Sequence, residues 1–215
     1  MKNLNLAFDE IKQRLYNSNY PHISSEGLKL SSVVLPFYKT ENGKSGILLT
    51  KRSDHLKSHA GQISFPGGKF DELDKTLLET ALREWEEETG SSRDNLEVIG
   101  SYHSLNTGTG YHITPYITLY KGDFQFKPNR NEVDFLLHVE LEELLHLPFY
   151  TIYFDQHPSG RFEIYYFDLP QGLLWGATCH ILVRFLKEFC GFDRQAELVK
   201  PNLTTAPFFS PPKKT

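Results

Sequence analysis

Residues 65–90 read FPGGKFDELDKTLLETALREWEEETG, and both the fold and the chemistry of the chain turn on this stretch. Its second half predicts a helix. Thr76 can cap it, with Glu79 three residues later to complete a capping box. Asp74 is a rival cap, and Gly90 is a natural stop. At about 100° per residue, Leu77, Leu78, Ala81, Leu82 and Trp85 form one apolar stripe suited to packing on a sheet. Glu84, Glu87 and Glu88 share a neighbouring arc of about 100°, while Glu86 points elsewhere.

Like charges three and four residues apart destabilise an isolated helix by about 0.2–0.5 kcal/mol per pair. The plain reading of such an arc is a solvated acidic face. A solvated face usually interleaves Lys with Glu, however, and here the basic residue on the helix near the acids is Arg83, four before Glu87. The sharper reading is a hard-cation site. Carboxylate oxygens suit Mg²⁺ or Mn²⁺, and two or three on one rigid face leave positions open for water and phosphate.

The run Arg83-Glu84-Trp85-Glu86-Glu87-Glu88-Thr89-Gly90 resembles the second half of the Nudix hydrolase signature, G-x5-E-x7-R-E-U-x-E-E-x-G-U, where U is bulky and aliphatic. Gly68 takes the place of the leading Gly, and Asp74 stands where the signature has Glu. Eight residues, one more than in the signature, then separate Asp74 from Arg83. Trp85 is bulky but not aliphatic, and Ser91 replaces the last aliphatic position.

Upstream, Leu48 to Gly68 reads LLTKRSDHLKSHAGQISFPGG. It is similar to the extra motif of the coenzyme A diphosphatase branch, roughly LLTxRSxxLxxHxGQxxFPGG. The matches include Thr50, Arg52, Ser53, Leu56, His59, Gly61, Gln62, Phe65 and Pro66. That branch also tends to read GGKxDxxD and TALRE, found here from Gly67 to Asp74 and from Thr80 to Glu84. The eight-residue spacing is usual for it.

The resemblance implies an α/β fold, the Nudix α/β/α sandwich, with a mixed β-sheet flanked by helices. It implies Mg²⁺- or Mn²⁺-dependent hydrolysis of coenzyme A and its thioesters to 3′,5′-ADP and 4′-phosphopantetheine or its acyl form. Glu84 and Glu88 are the principal candidate metal ligands, with Glu87 as third ligand or as base for water. The backbone carbonyl at or beside Gly68 completes the shell. Arg83 holds the glutamates in place, and Glu132 is the reserve base. Arg52, His59, Gln62 and Lys69 are the candidate substrate-binding residues; taken singly, Arg52 and His59 also read as surface residues. Two other readings stay open: hydrolysis of another nucleoside diphosphate compound such as ADP-ribose or NADH, and a non-catalytic nucleotide sensor on the same scaffold. Against the sensor, every residue of R-E-x-x-E-E is present.

Composition bounds the rest. A chain of 215 residues, 39% hydrophobic and 23% charged, is expected to be one domain over residues 1–199, with a tail at 200–215 rich in Pro and Lys. No run is apolar enough to span a membrane. The N-terminus lacks the apolar core of a signal peptide. Cys179 and Cys190 read as reduced thiols in a cytoplasmic protein. A net charge of -4 argues against a general nucleic-acid binder. A small anionic substrate is still compatible with it when bound cations supply positive charge. Homodimerisation is left open. The histidines other than His59 show no metal-ligand spacing.

In chain order, Leu4 to Leu15 predicts an amphipathic helix. Leu28–Tyr38 and Ile47–Lys51 predict a hairpin about Asn42-Gly43. Ile63–Phe65 reads as a short strand, and Pro66-Gly67-Gly68 as a turn into the loop before the helix. Strands follow at Leu96–Ser101, Tyr111–Tyr120 and Asp134–Val139, with another starting at Phe124. A short helix follows over Glu140–Leu147. Phe149–Phe154 and Phe162–Phe167 predict a hairpin about His157-Pro158-Ser159-Gly160. A long helix is expected from Leu174 to about Phe189, capped by Gly191. Thr107-Gly108-Thr109-Gly110 is a weak phosphate-loop signal, and a plain turn explains it as well.

Overall fold

The computed structural model describes residues 4–18, 20, 23–154 and 162–198. Chain order begins with α1 (Phe8–Asn17), β1 (Lys29–Lys39), β2 (Ser45–Arg52), β3 (Ile63–Ser64), β4 (Gly67–Lys69) and α2 (Leu77–Thr89). A short 3₁₀ turn (Arg93–Asn95) leads to β5 (Leu96–Ser101), β6 (Leu105–Asn106), β7 (Tyr111–Tyr120) and β8 (Val133–Glu140). Then come α3 (Leu141–Leu144), β9 (Phe149–Phe154), β10 (Phe162–Leu169), β11 (Gly172–Trp175), α4 (Gly176–Phe189) and β12 (Glu197–Leu198).

The strand β1 is central because its KLSSVVLPFYK sequence is rich in β-branched and aromatic residues. It pairs antiparallel with β2 and parallel with β7, so the sheet is mixed. The main path runs β3-β2-β1-β7-β5, with β4 on β1, β6 on β7 and β8 on β2. A second sheet is ordered β11-β10-β9-β12.

Alternation along β1 and β2 sends side chains to opposite faces. Val34, Tyr38 and Leu48 point toward α2 and join Ala81, Trp85, Leu96 and Tyr120 in a small buried cluster. Leu35, Phe37, Ile47 and Leu49 point the other way. There they join Phe8 and Ile11 of α1, Leu182 and Phe185 of α4, and Phe149 and Phe167 of the second sheet in a larger core. The result is an α/β arrangement with helices on both faces of a mixed sheet.

Several expected local structures take another form. Pro66-Gly67-Gly68 does not simply turn: Gly67–Lys69 forms β4, with Gly67 opposite Val33 and Gly68 opposite Ser32. The approach is close enough that a Cβ at Gly67 would lie 2.3 Å from the Ser32 carbonyl oxygen, so a residue type that reads as a turn serves strand contact instead. No strand forms at Phe124, which adopts φ 60° and packs its ring on Tyr120 and Tyr38. The late helix begins at Gly176, because Leu174 and Trp175 pair with Phe167 and Tyr166. The expected tail at 200–215 and the expected turn at 157–160 lie outside the described residues.

The first helix starts at Phe8 rather than Leu4, because the Leu4 carbonyl and the Leu6 N–H are both taken by Ser45, and the short helix covers only Leu141–Leu144 because Glu140 still belongs to β8. The β1–β2 and β9–β10 hairpins form, and β5 and β7 have their expected bounds. Residues 107–110 make the turn of the β6–β7 hairpin, with Thr107 N–H donating to Tyr111 O at 2.8 Å. Cys179 and Cys190 are free thiols.

Candidate active site

The helix α2 carries the acids and is fixed at both ends. Thr76 Oγ1 accepts the Glu79 N–H at 3.1 Å. Glu79 reaches back to the Lys75 N–H, one residue before the cap. Gly90 closes the helix at φ 68°. Trp85 and Ala81 anchor it fully buried. This rotation turns Glu88 inward and leaves Glu87 half-exposed. Glu86 points away, where it pairs with Arg93.

Glu88 is only 2% exposed. Burial pushes its carboxyl up to about 8, against the pull of Arg52; the charges of Glu84 and Glu132 push it the same way as burial. Arg52 Nη1 lies 3.6 Å from Glu88 Oε1. Glu88 Oε2 is buried with no hydrogen-bond partner, and so is Arg52 Nε. Such orphaned buried atoms are rare and call for an explanation.

Glu84 is placed by β4. A Cβ at Gly68 would sit 2.3 Å from Glu84 Cδ and Oε1. The absence of a side chain at Gly68 is thus what lets this carboxylate lie against the strand. Burial raises the Glu84 carboxyl, Arg83 opposes that, and Glu87 and Glu132 reinforce it.

Arg83 is the hub. Its Nη1 donates to Glu84 Oε1 at 2.9 Å and to Glu87 Oε2 at 3.0 Å. Its Nη2 donates to the Lys69 carbonyl at 3.3 Å. Its Nε and Nη2 both bind Asp74. Asp74 is therefore part of the site although its sequence position reads first as a helix cap. The available signal was its place at the acidic position of the signature, nine residues before Arg83.

Glu132 is near enough to act on both Glu84 and Glu88 electrostatically. Its carbonyl accepts the Ser53 N–H at 2.8 Å, which ties its loop to the end of β2. The 53–62 loop closes on Arg52, whose N–H donates to Gln62 O at 2.9 Å. His59 sits at φ 56° with Nδ1 3.0 Å from Gln62 Oε1. His59 and Gln62 thus form a pair on that loop, while the Lys69 ammonium lies over the Tyr111 ring at 5.9 Å.

Among the described residues, no three His, Cys, Asp or Glu side chains form a ready-made cation cage. The guanidinium of Arg83 holds Glu84 and Glu87, and that of Arg52 faces Glu88. The donor set nonetheless fits a hard divalent ion. It offers carboxylate oxygens on one rigid helix, one of them buried and unpartnered, next to a strand carrying no side chain.

A relative named uncharacterized Nudix hydrolase NudL, from Yersinia enterocolitica serotype O:8 / biotype 1B, is 38% identical over 143 residues, covering 66% of this chain and 73% of that protein. A protein of the same name from Yersinia pestis strain Pestoides F is 40% identical over 137 residues, covering 63% of this chain and 68% of that protein. The crystal structure of a Nudix hydrolase from M. smegmatis, RenU, matches with 22% identity and a TM-score of 0.47, over 62% of this chain and 80% of that one. The sequence profile of the NUDIX domain matches residues 29–172. That span opens on the first residue of β1 and contains every side chain placed around Arg83 and Glu88 above, so the chain belongs to the NUDIX domain family.

Proposed function

We propose that this Nudix hydrolase of nucleoside diphosphate-linked compounds takes coenzyme A and its thioesters, releasing 3′,5′-ADP and 4′-phosphopantetheine or its acyl form. The observation that carries the reading is the meeting of two motifs at one carboxylate. Arg52, from the coenzyme A-type segment, faces Glu88 of the acidic helix at 3.6 Å.

Glu84 and Glu88, with Glu87 and the carbonyl at or beside Gly68, would hold Mg²⁺ or Mn²⁺. When bound, such an ion neutralises charge on the diphosphate and makes a bound water more acidic. The chain's own residues do the rest. Arg83 orients Glu84 and Glu87 through its fork, and Asp74 orients Arg83. Glu87, or Glu132 from its loop near Glu84 and Glu88, takes the proton from the attacking water. General base catalysis of this kind typically contributes about 10²–10⁴-fold. Water oxygen bonds to one phosphorus as the bridging P–O bond breaks. Arg52, His59, Gln62 and Lys69 are the proposed contacts to the substrate's phosphates and nucleotide.

The test is incubation with Mn²⁺ and, in separate reactions, coenzyme A, ADP-ribose or NADH, with products resolved by chromatography. Release of 3′,5′-ADP chiefly from coenzyme A supports the proposal. Cleavage of ADP-ribose instead keeps the acidic helix and discards coenzyme A. Turnover that survives a chelator excludes the metal-dependent mechanism.

A further inference from the structure

Resting on the metal-dependent reading of this site, we propose that Arg52 is a resident counter-cation for Glu88. Its guanidinium supplies the positive charge that faces this buried acid. Once a divalent ion is bound, Arg52 leaves Glu88 and becomes available to a substrate phosphate.

Two of the arginine–carboxylate pairs in this site differ in kind. Arg83 and Asp74 are locked, with two donor–acceptor distances of 3.0 Å. Arg52 and Glu88 are loose. Their closest approach is 3.6 Å, beyond hydrogen-bond length. Each also keeps an unused buried atom, Nε on Arg52 and Oε2 on Glu88. A permanent structural pair closes such valences, because unpaired polar atoms are costly to bury. The open valences on Arg52 and Glu88 leave each side chain able to take another partner.

The backbone under Arg52 is fixed by its neighbours. Its N–H is held by Gln62 O at 2.9 Å. The β2–β8 register shifts between Lys51 and Arg52, and an irregularity of this type redirects a side chain. The Arg52 side chain is 24% exposed against 2% for Glu88, so the guanidinium reaches from the buried acid to the solvent side where an anion arrives. The guanidinium charge beside Glu88 Oε1 repels a second cation arriving at the same carboxylate. Arg52 therefore weakens metal binding, and its release couples metal occupancy to phosphate capture.

The test needs no turnover. Mn²⁺ binding to the full chain, without substrate, is measured from the free-Mn²⁺ electron paramagnetic resonance signal at one fixed pH. Arg52→Gln is expected to bind Mn²⁺ at least about 5-fold tighter than wild type, the lower end of typical coupling between two sites. Arg52→Lys, which keeps the charge, should stay near wild type. Equal or weaker binding by Arg52→Gln overturns the proposal. The unmutated protein supplies a second readout, independent of whether Arg52→Gln folds. The Arg52 Nε–H nitrogen resonance, identified by its loss in Arg52→Lys, should move on addition of Mg²⁺, and a resonance that stays put overturns the proposal. A wild-type protein with no Mn²⁺ site at all overturns the metal reading together with this one. A real site indifferent to Arg52 overturns this one alone.

Discussion

Asp74 grips Arg83 with both carboxylate oxygens, Nε to Oδ1 and Nη2 to Oδ2, each at 3.0 Å. Asp74 is itself held by the Thr80 hydroxyl at 2.8 Å and the Asp71 N–H at 3.1 Å. The planar guanidinium then has one direction left for Nη1, toward Glu84 and Glu87. An acid before the helix thus sets where the acids on the helix point.

Asp74→Asn keeps the shape and removes the charge. Turnover should fall by about 10–100-fold, the usual cost of losing an outer partner of a metal site, with circular dichroism unchanged. An unaltered kcat would remove Asp74 from the machinery. The Arg83 hydrogen bond is the main cause holding the Asp74 carboxyl well below its ordinary range. A depressed carboxyl stabilises the fold above its unfolded value, about pH 4, and that stability is lost as pH falls further. Acid unfolding of wild type should therefore be steeper than that of Asp74→Asn.

Gly68→Ala puts a methyl 2.3 Å from the Glu84 carboxylate. The carboxylate must swing away from β4, while the Ser32–Gly68 backbone pairing can persist. Mn²⁺ affinity and turnover should both drop by about 10-fold or more, with little change in thermal midpoint. A variant with wild-type Mn²⁺ affinity would show that Glu84 need not rest against the strand.

Trp85 is fully buried against Tyr120 and Phe126. Trp85→Ala should cost about 3–5 kcal/mol in urea unfolding. The indole Nε1 has no hydrogen-bond partner, so Trp85→Phe forfeits volume and no bond. It should be clearly milder than Ala, and equal losses would mean that the N–H matters after all.

Burial holds the Cys179 thiol far up and raises Cys190 to about 12. A raised value keeps the thiol protonated at neutral pH, and the thiolate is the reactive form. Ellman's reagent should modify the native protein slowly, with little acceleration between about pH 7 and 8.5, and rapidly in denaturant. Fast native labelling at pH 7 would contradict this burial.

Much of this architecture is readable locally. The limits of α2 follow from Thr76 and Gly90 because caps are made by neighbours in sequence. The β1–β2 hairpin follows from alternation about a turn. What escapes is decided at long range. Pro66-Gly67-Gly68 has turn chemistry, yet β1 recruits it as a strand through contacts more than thirty residues away in sequence. Leu174 and Trp175 fit a helix as well as a strand until β10 offers them partners. Within the site, the acidic arc is legible from helical spacing. The partner of Glu88 is not, since Arg52 reaches it across the fold. Asp74 is visible in sequence, but its meeting with Arg83 depends on how the loop folds back.

The helix that bears the acids rests on the smaller of the two apolar clusters, separate from the one uniting α1, α4 and both sheets. The two lie on opposite faces of β1 and β2, and the helix is covered by fewer buried side chains than the other face. On mild warming, α2 can open while the larger core stays shut, and its amides should exchange with solvent before those of β1 and β7. Activity measured after brief warming is then expected to fall before the circular dichroism signal does, and to return on cooling; simultaneous loss of both would tie the helix to the larger core.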